Sequence, residues 1–367
     1  MIDKVTNLPF YLKTSISLIG LYFLFTILYI AQGIIIPIVF AIVIAILLSP
    51  VVNLLVRIKI NRIVAIFITL LLTFIIIITF ASLLFTQASR FSDSWLMLVT
   101  KFTELLNKSI IWASGYLKIN SQQINEWILK LRGELINIAS ASIGKTLLTI
   151  GSGLIGLMLL PVYIFLMLFY QPLILDFIYK LSGVKNKTQV SEIVSKTKRL
   201  IQHYLSGLVI EFVIIAILYT CTLLILGVDY AILIGLIGAL INVIPYIGGF
   251  VGIALPMMIA LVTKSSAWYA IYILFIFYII QFFDNHYIIP KIVASKVKIN
   301  ALFAIIVVLV GNALWGIAGM FLSIPLLAIV KLIFDHIETL KPWGFLLGDT
   351  MPPLIKIKTN FLKKTSK

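Results

Sequence analysis

Two carboxylates lie inside otherwise apolar stretches of this sequence: Glu211 within Leu205 to Gly227, and Asp284 within Ala267 to Ile289. A charge at bilayer depth costs about 2.5 to 3.5 kcal/mol on insertion scales, so such a residue marks an ion or proton path unless it is satisfied locally. Glu211 follows Leu205 by six residues and Asp284 precedes Pro290 by six. At the helical rise each then sits about 9 Å inside the same end of its span. They are the candidate ion-coupling pair, able to carry a proton or neutralise a cation. The structural alternative is that they bond helix ends or snorkel to the interface.

Uncharged groups near them suit a small polar solute. Asn242, Gln281, Asn285 and Asn312 offer amide donors and acceptors, although such groups also hold transmembrane helices together. Pro245, Gly248 and Gly249 interrupt one apolar run, and Gly311, Gly316 and Gly319 interrupt another. Exposed backbone at such interruptions can touch a solute, while Tyr246 and Trp315 can stack on a ring or fill space. Asn242, Pro245, Tyr246, Gly248, Gly249, Gln281, Asn285, Asn312 and Trp315 are therefore the candidate substrate-binding set.

No catalytic residue is expected. His203, His286 and His336 show no metal spacing, and HExxH, GxSxG and P-loop patterns are missing, so no metal, cofactor or ATP-driven step is implied. Cys221 is the single cysteine and permits no intrachain disulfide.

The elements that must position these groups are membrane spans. The chain is 62% hydrophobic and 11% charged, far more apolar than a soluble domain, with several charge-free windows of about 20 residues. The net charge of +16 is spread between apolar runs, which fits orienting loops and excludes a nucleic-acid patch. The reading is an all-α polytopic transmembrane protein of a cell (inner) membrane, with both termini cytoplasmic. Residues 1–85 hold spans 1 to 3 and residues 86–148 an extracytoplasmic amphipathic region of two helices. Residues 149–204 hold span 4 and a basic amphipathic helix, residues 205–333 a transport core, and residues 334–367 a basic tail.

Within the core, Ala231 to Val262 and Ala301 to Ile333 are too long for one ordinary span, and Gly and Pro break both. Read as re-entrant hairpins, they give six full spans plus two hairpins and keep Lys291, Lys296 and Lys298 inside; read as full crossings they give eight spans and put that loop outside. The hairpin reading satisfies the positive-inside rule and makes an inverted repeat, the architecture that lets a midplane site face each side in turn. A break in hydrocarbon is tolerated only where the freed backbone is buried or lines a wet cavity.

Three segments carry a family resemblance: LGVDYAILIGLIGALINVIPYIGGFVG from Leu226 to Gly252, QFFDNHYIIPKIV from Gln281 to Val293, and GNALWGIAGMFLSIPLLA from Gly311 to Ala328. Their order and spacing resemble the autoinducer-2 exporter (AI-2E) family over roughly Tyr204 to Ile333. The family often has proline where Gly249 stands and a basic residue where Ser206 stands. The resemblance implies a multi-pass secondary transporter, either an exporter of an autoinducer-2-like solute or a sodium/proton antiporter. A channel or a membrane scaffold is the alternative outside transport by a carrier. The expected partners are the lipid bilayer, a small solute, a proton or sodium ion, and further copies in a homo-oligomer, with no nucleic acid.

Overall fold

In a computed structural model of the chain, the described residues are 9–117, 159–181, 183–244, 248–293 and 299–349, with isolated positions between 126 and 133. Among them the chain is helical throughout, with no strand. The helices are α1 (Phe10–Ile30), α2 (Gln32–Arg57), α3 (Arg62–Leu117), α4 (Leu159–Phe169), α5 (Gln171–Leu181) and α6 (Gly183–Ile225). Then come α7 (Ala231–Asn242), α8 (Gly248–Thr263), α9 (Trp268–Phe283), a π-helical segment (Asp284–Val293), α10 (Ala301–His336) and α11 (Lys341–Leu347). Five helices are long and apolar enough to cross a membrane, and α4 with α5 adds a sixth candidate if that pair, bent by 61°, is one span. This is a multi-pass membrane protein.

The structure departs from the expected boundaries in two places. The third span and the first outer amphipathic helix form one uninterrupted helix, α3, of 56 residues. The reason is local: no proline or glycine occurs between Arg62 and Ser114, and polar residues such as Gln87 and Arg90 do not stop a helix. Likewise the later part of the expected basic stretch, residues 183–204, and the fifth span are one helix, α6, of 43 residues. Most of the second expected amphipathic helix, the Lys296 and Lys298 part of the basic loop, and most of the lysine-rich tail lie outside the described residues.

Helix α6 is the post on which the core is assembled. On one side its Ile215, Ala216, Tyr219 and Leu223 pack with Ile234 and Ala239 of α7, Ile259 and Ala260 of α8, and Ile273 and Phe277 of α9. Leu98 of α3 joins this cluster. On the other side Ile201, Leu205 and Leu208 pack with Val43 of α2, Val293 of the π segment and Leu322 of α10. A third cluster joins α2, α3 and α4 through Ala41, Ala45, Ile66, Leu70 and Ile164.

Both broken runs fold back on themselves. Helices α7 and α8, at 12 and 16 residues, are too short to span, since a crossing needs about 20. Their antiparallel pairing is fixed by close backbone approach of Gly248 to Ile241 and Asn242, and of Gly252 to Gly238. In α10 the backbone leaves helical geometry at Trp315 and Gly316. The hydroxyl of Ser323 donates to the Val307 carbonyl at 2.9 Å, a pair that a straight helix would hold about 24 Å apart. Gly311 and Gly319 meet backbone to backbone between them. Gly316 makes this reversal possible: its φ of 59° and ψ of −139° belong to a region that side chains with a Cβ avoid. Pairs in the first hairpin are equidistant from position 245, and pairs in the second from Trp315.

Candidate functional site

The first hairpin ends beside α6 and α9, and there the two carboxylates meet. Asn242, the last residue of α7, donates from Nδ2 to Asp284 Oδ2 at 2.9 Å and to Glu211 Oε1 at 3.4 Å. Gln281, one turn before Asp284, donates from Nε2 to the same Oδ2 at 3.4 Å. Its Oε1 accepts from the hydroxyl of Tyr219 at 3.2 Å. The result is a chain of polar side chains from three helices: Glu211, Asn242, Asp284, Gln281 and Tyr219.

The cluster is sealed. Asp284 is 0% exposed, Glu211 3% and Asn242 7%. Tyr219 is also fully buried and stacks on Phe277, with ring centroids 4.2 Å apart. Burying a charge is expensive unless it is paired, hydrogen-bonded or neutralised. Two carboxylates sharing one amide do not satisfy each other. Indeed Asp284 Oδ1 and Asn242 Oδ1 are buried without a hydrogen-bond partner. Both are acceptors, so the site lacks positive charge or a donor, which a proton or a cation would supply.

Local structure explains how these groups come to one place. The α7 to α8 break sets Asn242 at a helix end, free of the continuous apolar packing that would hide an amide. Helix α9 changes to π geometry at Asp284 and keeps it to Val293, a register change that occurs mostly at functional sites. Pro290 lies inside that segment and removes a further backbone donor. Gly207 lets the π segment pack tightly on α6, since a Cβ there would lie 3.0 Å from Val293 Cα.

Of the other expected residues, Gly248 is buried against α7. A Cβ on Gly249 would stand 2.9 Å from the amide carbon of Gln281. Both arms of the first hairpin thus touch the polar cluster, α7 through Asn242 and α8 through Gly249. Trp315 is half-buried at the second turn, and its Nε1 donates to the Leu28 carbonyl at 3.0 Å. It packs with Val243 against the α2, α6 and α10 cluster, so the two breaks approach a common region of α6. Asn285 and Asn312 are exposed and stand outside the polar cluster. Pro245 and Tyr246 fall outside the described residues. Tyr219 was not singled out in the sequence; its only signal is that it lies two helical turns from Glu211 on the same helix. Among the described residues no group of three or more His, Cys, Asp and Glu is arranged to hold a metal ion.

Comparison with known proteins points to membrane transport. YrrI of Bacillus subtilis (strain 168), provisionally named a transport protein, is 30% identical over 133 residues, covering 36% of this chain and 37% of YrrI. PerM of Escherichia coli (strain K12), provisionally named a permease, is 25% identical over 250 residues, covering 67% of this chain and 66% of PerM. The matches thus span about a third to two thirds of these relatives' lengths. The profile of the AI-2E family transporters matches residues 18–339, which runs from within α1 to beyond the end of α10, and the chain belongs to that family.

Proposed function

We propose that this protein is a secondary transporter that moves a small polar solute, autoinducer-2-like in size and polarity, and couples that movement to a proton or a monovalent cation at Glu211 and Asp284. The observation that carries the reading is the single amide, Asn242, shared by two buried carboxylates at the tip of a folded-back helix pair. Loading either carboxylate changes what Asn242 can bond, and Asn242 ends an arm of the hairpin. Chemistry at the carboxylates therefore acts directly on one arm of the hairpin.

The two hairpins support an inverted-repeat reading, in which α6 with the first hairpin and α9 with the second approach a site between them from opposite sides. Glu211 and Asp284 then work as the coupling groups, Gln281 and Tyr219 hold Asp284, and the hairpin turns contribute backbone to solute contact. Cation exchange for protons, without a second solute, is favoured by one feature. The unpartnered oxygens of Asp284 and Asn242 are hard ligands of the kind that sodium takes.

Proteoliposomes separate these readings. Under an imposed proton gradient, autoinducer-2 accumulation that is lost in Asp284→Asn supports the solute carrier. Sodium movement with no solute present supports the antiporter. Neither flux, with the protein folded, ends both.

A further inference from the structure

A polar pocket lies away from the carboxylates, where α2 and α6 emerge at the basic end of the bundle. It has a volume of about 250 Å³ and is lined by Pro50, Asn53, Leu54, Arg57, Lys198 and Gln202. Among the described residues none of its lining side chains is a carboxylate. The ion pairs of the described residues form elsewhere, at Lys180 with Asp176, Lys196 with Glu192, Lys331 with Asp335 and Lys341 with Glu338. Arg62 stands close enough for its charge to act on Lys198. The bonds of Arg62 go to neutral acceptors, the Leu168 carbonyl at 2.8 Å and Gln171 Oε1 at 3.4 Å. Among the described residues, three cations therefore share this corner with no acid paired to them.

The pocket is built as well as charged. Pro50 has no N–H, so the carbonyl of Ile46 one turn earlier loses its helical donor. Gln202 Nε2 supplies the replacement at 2.9 Å and also donates to Ser49 Oγ at 2.9 Å. This pins α6 to α2 and fixes the back wall. Guanidinium, ammonium and amide donors around one concavity are the set that recognises phosphate oxygens.

We propose that this pocket binds a phosphate group, with Arg57 and Lys198 as its cationic ligands and Asn53 as a hydrogen-bond donor. The phosphate is carried either by an anionic membrane lipid or by a soluble phosphate compound. The volume is below that of pockets for drug-sized molecules and suits a head group. Leu54, exposed on the rim, offers the apolar contact that a lipid chain needs, and basic pockets between spans at the cytoplasmic side take such head groups. A phosphate here bridges α2 to the helix that bears Glu211.

The test uses the full-length protein in nanodiscs of phosphatidylcholine, titrated in one arm with phosphatidylglycerol and in the other with inorganic phosphate, reading the thermal midpoint. A midpoint that rises with phosphatidylglycerol alone identifies the lipid source; one that also rises with inorganic phosphate identifies a soluble one. In either arm the Arg57→Gln, Lys198→Gln double variant requires roughly ten-fold more ligand for half the shift. Lys264→Gln, a charge removed at another site, leaves the titration unchanged and accounts for bulk charge. Should the double variant fail to fold, Asn53→Leu, with all charges intact, weakens the response several-fold. No response to either ligand, or the same titration in the variants as in the wild type, overturns the proposal.

Discussion

Asn242 Nδ2 lies 2.9 Å from Asp284 Oδ2, and the same nitrogen is the only described side-chain donor to Glu211. Replacing it with a leucine of similar size leaves Glu211 Oε1 without a donor and Asp284 Oδ2 with only the longer bond from Gln281, a loss of about 1 to 3 kcal/mol for a group left unsatisfied. Asn242→Leu is expected to lower the thermal midpoint in detergent markedly. Pairing it with Asp284→Asn or Glu211→Gln recovers part of the loss, because fewer charges are then stranded.

Glu211→Gln and Asp284→Asn keep shape and remove charge. In vesicles both are expected to fold and to reduce coupled transport at least ten-fold, which corresponds to about 1.4 kcal/mol of lost coupling. They also flatten whatever dependence on pH the wild type shows. Profiles that match the wild type in both variants would remove the coupling role.

Gly249 and Gln281 touch closely enough that any side chain at Gly249 displaces the amide. The clash is with the flexible end of Gln281, so the cost is that of the hydrogen bonds it gives up, about 0.5 to 1.5 kcal/mol each. Gly249→Val is expected to impair transport, and Gln281→Ala in the same chain to relieve the clash without restoring the hydrogen bond to Asp284. A double-mutant cycle on stability should therefore give a coupling energy of about 1 kcal/mol or more. Additive effects would mean that the hairpin tip does not bear on the carboxylates.

Gly316 reverses α10 in a conformation that only glycine holds without strain. Gly316→Ala should destabilise by about 1 to 3 kcal/mol, measured as a drop in the unfolding midpoint. Gly133→Ala, where a Cβ meets nothing within 4 Å, provides the reference.

Orientation of the second hairpin is open to labelling. In a Cys221→Ala background, Ser295→Cys is expected to react with membrane-impermeant maleimide only from the side that carries the basic loops. Reaction solely from the opposite side would restore eight full crossings.

The sequence carried the membrane class, both breaks and the two carboxylates, because each rests on a local cost: charge in hydrocarbon, or Pro and Gly in a helix. The shared depth of Glu211 and Asp284, inferred from helical rise, agrees with their joint bond to Asn242. Other parts needed three dimensions. Nothing in the residue pattern distinguishes the π register after Asp284 from an ordinary helix. Tyr219 reads as one more aromatic in an apolar span until Gln281 is placed beside it. Asn285 and Asn312 share chemistry with Asn242, yet helix phase turns them outward. The length of α3 is hidden in the sequence because a change from apolar to polar composition resembles an element boundary, whereas a helix free of Pro and Gly continues through it.

That length has a mechanical meaning. Fifty-six residues of α3 extend about 84 Å, while the hydrocarbon layer is about 30 Å thick. Leu98, well along this rod, packs in one cluster with residues of α7 and α8, so the rod and the first hairpin share a core. A shift of that hairpin during transport would be carried along the rod to its far end. An antibody fragment or neighbouring subunit gripping that end would brake the transporter without approaching its cargo.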